Sequence, residues 1–167
     1  AAAAETRTLG GLINGQFCMS VVSVEIRTAR LGDAEQVCGL MTELGYPTTA
    51  ESMADRLAGI LGEPDCATFV AETDGTVVGI AGATVSRHYE KDGLISELVV
   101  LVVASAFRKA GIGARLVHAV ERWAAANGAR SMLVTSGLPR EDAHRFYEGC
   151  GYVRTGFRFS KLLGDAG

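Results

Sequence analysis

The 167-residue sequence predicts an α/β (α+β) fold: a single domain built on one mixed sheet with helices on both faces. Three observations carry this. Segments of strand and helix patterning follow one another in the order β, α, α, β, β, β, α, β, α, β, β, which folds most simply around one sheet. Two β-rich runs flank Asp74-Gly75, the strongest short-range hairpin signal. The run "LISELVVLVVASA" (94–106) is almost continuously apolar, the pattern of a strand buried on both faces in the middle of a sheet.

The elements follow in order. "VSVEIRTA" (22–29) is rich in β-branched residues and reads as the first strand. "GDAEQVCGLMTELG" (32–45) reads as a helix with Asp33 as its N-cap, an apolar stripe of Val37, Leu40, Met41 and Leu44, and Gly45 at its end. After Pro47 a second helix covers "TAESMADRLAGIL" (49–61), capped by Thr49, with Met53, Leu57, Ile60 and Leu61 in line. The hairpin spans 66–88. "GARLVHAVERWAAANG" (113–128) is a helix with Leu116, Val120, Trp123 and Ala124 inward and Gly128 as its stop. "ARSMLVTSG" (129–137) is a strand, "REDAHRFYEGCG" (140–151) a short helix, and "YVRTGFRFSKLL" (152–163) one or two closing strands.

Residues 1–20 show neither helical nor strand period and are expected to be a tag, leader or upstream extension outside the core, leaving 21–167 as the domain. Composition narrows the function. With 48% apolar and 21% charged residues the chain is an ordinary soluble globular protein. A net charge of −3 offers no basic footprint, which argues against nucleic acid as a partner. Cys18, Cys38, Cys66 and Cys150 are scattered, with no CxxC pair and no ligand cluster, so no metal site and no disulfide framework is expected, and reduced thiols fit a cytoplasmic protein. No apolar run reaches the ~20 residues that would cross a membrane.

"AFRKAGIGARL" (106–116) carries the chemistry most worth pursuing. A loop that opens a helix aims free backbone N–H groups at one point, where the helix dipole favours an anion. Gly111 and Gly113 admit a bulky phosphate, and Arg108 and Lys109 supply cations. It is not a Walker loop, since GxxxxGK[ST] is absent. Nor is it a dinucleotide fingerprint, since Leu116 stands where the third glycine would be. On its own the loop reads equally as an ordinary tight turn.

Arg108-Lys109-Ala110-Gly111-Ile112-Gly113 resembles the R/Q-x-x-G-x-G/A signature of the GNAT superfamily of acyl-CoA-dependent N-acetyltransferases. "EDAHRFYEGCGYVRTG" is similar to that family's A-x-x-F-Y-x-x-x-G-F/Y segment, and "EIRTARLGDAEQV" and "ETDGTVVGIAG" to its opening and its hairpin, in the same order over residues 22–163. The resemblance implies a GNAT-like domain whose central sheet splays between its strands 4 and 5. It also implies acetyl-CoA as cosubstrate, with its pyrophosphate on Arg108, Lys109, Ala110, Gly111, Ile112, Gly113 and Ala114 and its pantetheine arm along Leu101, Val102 and Val103. Ser105 stands where the family often has Pro. Arg140 stands where it often has Asn, so that Arg140 or Ser136 would have to make the corresponding contact to coenzyme A.

The implied reaction is direct attack of a primary amine on the acetyl thioester. It requires a neutral amine, a stabilised oxyanion and a proton for the thiolate. Tyr147 holds the tyrosine position of the family segment and is the implied general acid; read without the family it is a core aromatic beside Phe146. Glu97, the lone charge between Leu94 and Val103, is either the base or a salt-bridged structural residue; by period two it shares a face with Val99, Leu101 and Val103 unless a bulge intervenes. His144 is either a relay or a surface residue, and His88 either lines the acceptor mouth or belongs to a solvated loop. Glu43 and Tyr46 fall in the segment resembling the family's acceptor-side lid. The expected function is acetylation of a small-molecule amine; acetylation of a protein N-terminus or lysine and a non-catalytic acyl-CoA-binding sensor or docking module are the alternatives. The sequence leaves room for a homodimer.

Overall fold

The computed structural model describes residues 7–13, 16–89 and 91–161. The chain forms two compact units, Ala1–Leu133 and Val134–Gly167. In the first, β1 (Arg7–Ile13) and β2 (Gln16–Val22) pair antiparallel as a sheet of their own. A five-stranded sheet follows in the order β3 (Glu25–Thr28), β4 (Cys66–Thr73), β5 (Thr76–Arg87), β6 (Leu94–Val103) and β7 (Ala129–Val134). Helices α1 (Ala34–Leu44), α2 (Ala50–Gly62) and α3 (Ile112–Ala126) complete the unit.

One expectation at the N-terminal end needs correction. The single strand expected over 22–29 is divided, with Val22 closing β2 and β3 restricted to 25–28. The stretch without period nevertheless contains β1 and β2, because ladder hydrogen bonds are made by the backbone and demand no particular side-chain alternation.

Strands β3 to β6 pair antiparallel in sequence order. The β4–β5 turn has positive φ at both Asp74 (48°) and Gly75 (75°), the type I′ geometry that Asp-Gly favours. The connection from β6 to β7 is the long crossover through α3. The two strands start side by side, with Gly128 against Leu94 and Gly93 against Arg130, but β7 is paired to β6 far less than β5 is.

Helices cover both faces of the sheet. On one, Val37 and Leu40 of α1 and Met53 and Leu57 of α2 are buried with Val70, Val77, Ile80 and Val102. The helix stripes are as the sequence predicts, except that Ile60 is 43% exposed. Leu116 of α3 lies on the other face. A Cβ built at Gly79 would stand 3.0 Å from Leu116 Cδ1 and 3.2 Å from the Val102 carbonyl oxygen, so only glycine lets α3 approach this closely.

Thr49 caps α2 as predicted, its hydroxyl accepting the Ser52 N–H at 3.1 Å. Asp33 does not cap α1. It turns back to accept the Arg30 N–H (2.7 Å) and both Nη groups of Arg27 (2.8 Å each), while Arg27 Nε donates to Glu72 at 2.6 Å. An arginine between two carboxylates thus joins β3, β4 and the entry to α1. Its hydrogen bonds hold Asp33 below the usual carboxylate range, although burial opposes this.

The second unit contains α4 (Glu141–Gly149). The closing strands expected over 152–163 are absent from 152–161. Val153, Phe157 and Phe159 have the apolar pattern of a strand, but they are 80–93% exposed and no ladder pairs their backbone.

Candidate functional site

β6 is where the structure departs most usefully from a regular strand. Gly82 pairs with Val100 and Ala83 with Leu98, so Val99 is an extra residue on β6. Such a bulge changes which residues share a face. Glu97, opposite Thr84, is brought to the face of Val100 and Val102, not that of Leu101 and Val103. The bulge also opens a strand expected to be buried on both faces: Val99 is 57% exposed and Glu97 is exposed too. Glu97 forms no ion pair among the described residues.

The edge of β6 away from β5 follows from one hydrogen bond. The Ala104 N–H donates to the Val78 carbonyl on β5 at 2.9 Å. Backbone groups alternate along a strand, so those of Leu101 and Val103 point to the opposite edge while those of Val102 face β5. Leu101 and Val103 are half-buried and Val102 is buried in the core, which makes its side chain a packing residue.

After β6 the chain makes one tight helical turn, Ser105–Phe107, and reaches α3 through Lys109 (φ 61°) and Gly111 (φ 78°). The first intrahelical N–H of α3 is that of Arg115, donating to Gly111 at 3.1 Å, and no side chain caps this end. The N–H groups of Ile112, Gly113 and Ala114 therefore have no intrahelical acceptor and converge at the positive end of the dipole. Nothing lies within 4 Å of the position a Gly111 Cβ would take, so φ, not crowding, selects glycine there. Arg108, one of the two cations of the loop, already has partners within the chain. Its Nε donates to the Val103 carbonyl at 2.9 Å and an Nη lies 3.6 Å from Glu43 Oε2.

Glu43 has its partners in the segment that precedes α3. Its Oε2 accepts the Ser105 N–H at 2.8 Å, across 62 positions of sequence. Tyr46, in the connection between α1 and α2, is 69% exposed, and His88, just past β5, is half-buried. The structure joins Glu43 to the glycine loop, while the Tyr46 side chain makes no hydrogen bond among the described residues. Neither the Val99 bulge nor the Glu43 contact could have been read from residue types; the only signal was that a bulge would alter the face of Glu97.

The second unit gathers the remaining candidates. A cavity of about 510 Å³ is lined by Ser136, His144, Tyr147, Glu148, Arg154 and Phe157, among others. Tyr147 packs edge-to-face on Phe146 (5.3 Å) and Tyr152 (5.8 Å). Burial is the main influence on its phenol and pushes its pKa up, with Arg140 opposing. Tyr147 thus belongs to an aromatic cluster and also lines the cavity. Ser136 Oγ is buried and has no hydrogen-bond partner among the described residues, a costly state that a bound polar group would relieve. His144 Nε2 lies 3.1 Å from the Gly137 carbonyl, to which it donates. Arg140 is exposed at the N-terminus of α4. Among the described residues no cluster of His, Cys, Asp or Glu could hold a metal ion, and no helix is long and apolar enough to cross a membrane.

Residues 34–152 match the model of the Acetyltransferase (GNAT) family, a span that runs through both units. The aminoalkylphosphonate N-acetyltransferase of Salmonella typhimurium is 32% identical over 140 residues, covering 83% of this chain and 91% of that protein. Aminoglycoside N(6')-acetyltransferase type 1 of Salmonella enteritidis is 30% identical over 138 residues, with 79% and 93% covered. An aminoglycoside N-acetyltransferase solved in complex with CoA shares the fold, with a TM-score of 0.77 at 22% identity over 86% of this chain and 97% of that one. A splayed five-stranded sheet, a glycine loop opening the crossover helix and a family match over most of the chain lead to one conclusion: this protein belongs to the GNAT family and is an acyl-CoA-dependent acetyltransferase with acetyl-CoA as its cosubstrate.

Proposed function

We propose that the enzyme transfers the acetyl group of acetyl-CoA to a primary amine of a small molecule, by direct attack, with Tyr147 as general acid. The observation that carries the mechanism is the half-buried Tyr147 phenol facing the cavity, its pKa raised by burial. Such a phenol stays protonated through neutral and mildly alkaline pH, and so remains able to donate when charge develops on sulfur. Two curated relatives named for small amine substrates, aminoalkylphosphonates and aminoglycosides, support the acceptor class.

In this reading the amides of residues 109–114 hold the pyrophosphate of the cosubstrate, and the β6 edge away from β5, at the Leu101 backbone and the Val103 N–H, pairs with its pantetheine arm. An N–H of that edge polarises the thioester carbonyl. The amine nitrogen forms its bond to the carbonyl carbon, the carbon–sulfur bond breaks, the thiolate takes the Tyr147 proton, and the phenolate recovers a proton through solvent from the nitrogen as the neutral amide forms. The proton released by the incoming ammonium passes through solvent to Glu97, the exposed carboxylate on β6. Ser136 supplies a hydroxyl to the cosubstrate, where the family often uses Asn nearby.

The test is thiol release from acetyl-CoA with a panel of aminoalkylphosphonates, aminoglycosides, and peptides with a free N-terminus or lysine. Turnover fastest with a small amine supports the proposal. Turnover confined to peptides, or tight CoA binding with no turnover on any amine, refutes it.

A further inference from the structure

We propose that Glu43 is a positioning residue for coenzyme A, acting through Ser105 and Arg108, and not a contact to the acceptor amine. The inference rests on the reading that residues 109–114 hold the pyrophosphate.

Glu43 is in the last turn of α1, where the negative end of the helix dipole disfavours a carboxylate. Its position there does nothing for α1. What the carboxylate does is serve another element: Oε2 accepts the Ser105 N–H at 2.8 Å, the first free N–H of the helical turn Ser105–Phe107. That turn has no side-chain cap of its own, so Glu43 caps it from α1.

The same oxygen lies 3.6 Å from Arg108, whose Nε donates at 2.9 Å to the carbonyl of Val103. Arg108 is thereby held at two points, by the end of β6 and by α1. Residues 104–108 are closed into a loop with fixed ends immediately before Lys109 and Gly111, the two positions with positive φ. Those positions set the direction of the amides that follow, so an anchor just before them determines whether the amides converge. One carboxylate thus links the edge of β6 to the N-terminus of α3.

Calorimetric titration of the full chain with CoA and with dephospho-CoA tests this. The second probe keeps the pyrophosphate and lacks the 3′-phosphate. For Glu43→Ala we expect the Kd of both probes to rise about 3- to 10-fold, a partly exposed charge-assisted contact being lost. Glu43→Gln keeps an acceptor for the Ser105 N–H and loses the charge facing Arg108, and should recover part of the affinity. It also guards against a folding defect. An unchanged Kd in Glu43→Ala overturns the proposal, as does a rise for CoA alone, which would place the effect at the 3′-phosphate. Gly111→Val run alongside separates the two readings: weakened binding there with intact binding in Glu43→Ala refutes only the positioning role, and intact binding in both refutes the loop as the pyrophosphate site as well.

Discussion

Gly111 stands at φ 78° with open space around its missing Cβ, so a side chain there is opposed by backbone strain and by any anion on the amides beside it. Gly111→Ala should cost about 1 kcal/mol of stability from the left-handed conformation. If the amides hold a pyrophosphate, it should also weaken CoA about 10-fold or more, which denaturant unfolding and calorimetry read separately. A stability loss with unchanged affinity would leave Gly111 a turn residue only. The glycine was legible in the sequence, since its residue type encodes the conformation. The role of Glu43 was not, because its partners Ser105 and Arg108 are some 60 residues away and nothing in a carboxylate's identity specifies which amide it will accept. Asp33 teaches the same lesson: it stood where a cap belongs, but the Arg27 guanidinium competes better for its oxygens than the α1 amides do.

At the scale of elements, β6 matters most. Its strand character was plain from the apolar run, but the extra residue Val99 was invisible, because a bulge is a property of pairing with β5 and not of residue type. Deleting Val99 should leave the β5–β6 ladder regular and the fold intact. It would also straighten β6 and shift the edge at Leu101 and Val103. Turnover should therefore fall at least about 10-fold, the scale of a misplaced oxyanion donor, with far-UV circular dichroism unchanged. Activity retained in full would show that the bulge is incidental. Elements with local determinants were read correctly: the Asp74-Gly75 turn, the Thr49 cap and the α3 stripe around Leu116 and Val120. Residues 152–161 were not, because alternation marks what could pair and a strand exists only where a partner ladder does.

The whole first unit is tied together at its entry by Arg27, which joins Asp33 to Glu72. The folded Asp33 pKa lies below its unfolded value, so its contribution is complete above the ordinary carboxylate pKa of about 4 and is lost as pH falls through the folded value. Asp33→Asn should destabilise by about 2–4 kcal/mol at pH 7, because it leaves a partly buried arginine short of a partner. That deficit should shrink as pH is lowered below 4, as urea midpoints would show; a deficit independent of pH would mean that the carboxylate charge is not what stabilises. At this scale the fold was largely legible, since four ordered motifs along the chain carried the family that the match over 34–152 establishes.

Direct acetyl transfer with Tyr147 as the acid is tested by measuring kcat and the CoA Kd of Tyr147→Phe together. The variant keeps the ring in its cluster with Phe146 and Tyr152 and removes only the proton donor. The predicted result is a kcat lower by about 10²–10⁴-fold with the Kd within about twofold of the native enzyme. An unchanged kcat, or equal losses in kcat and in affinity, would contradict it.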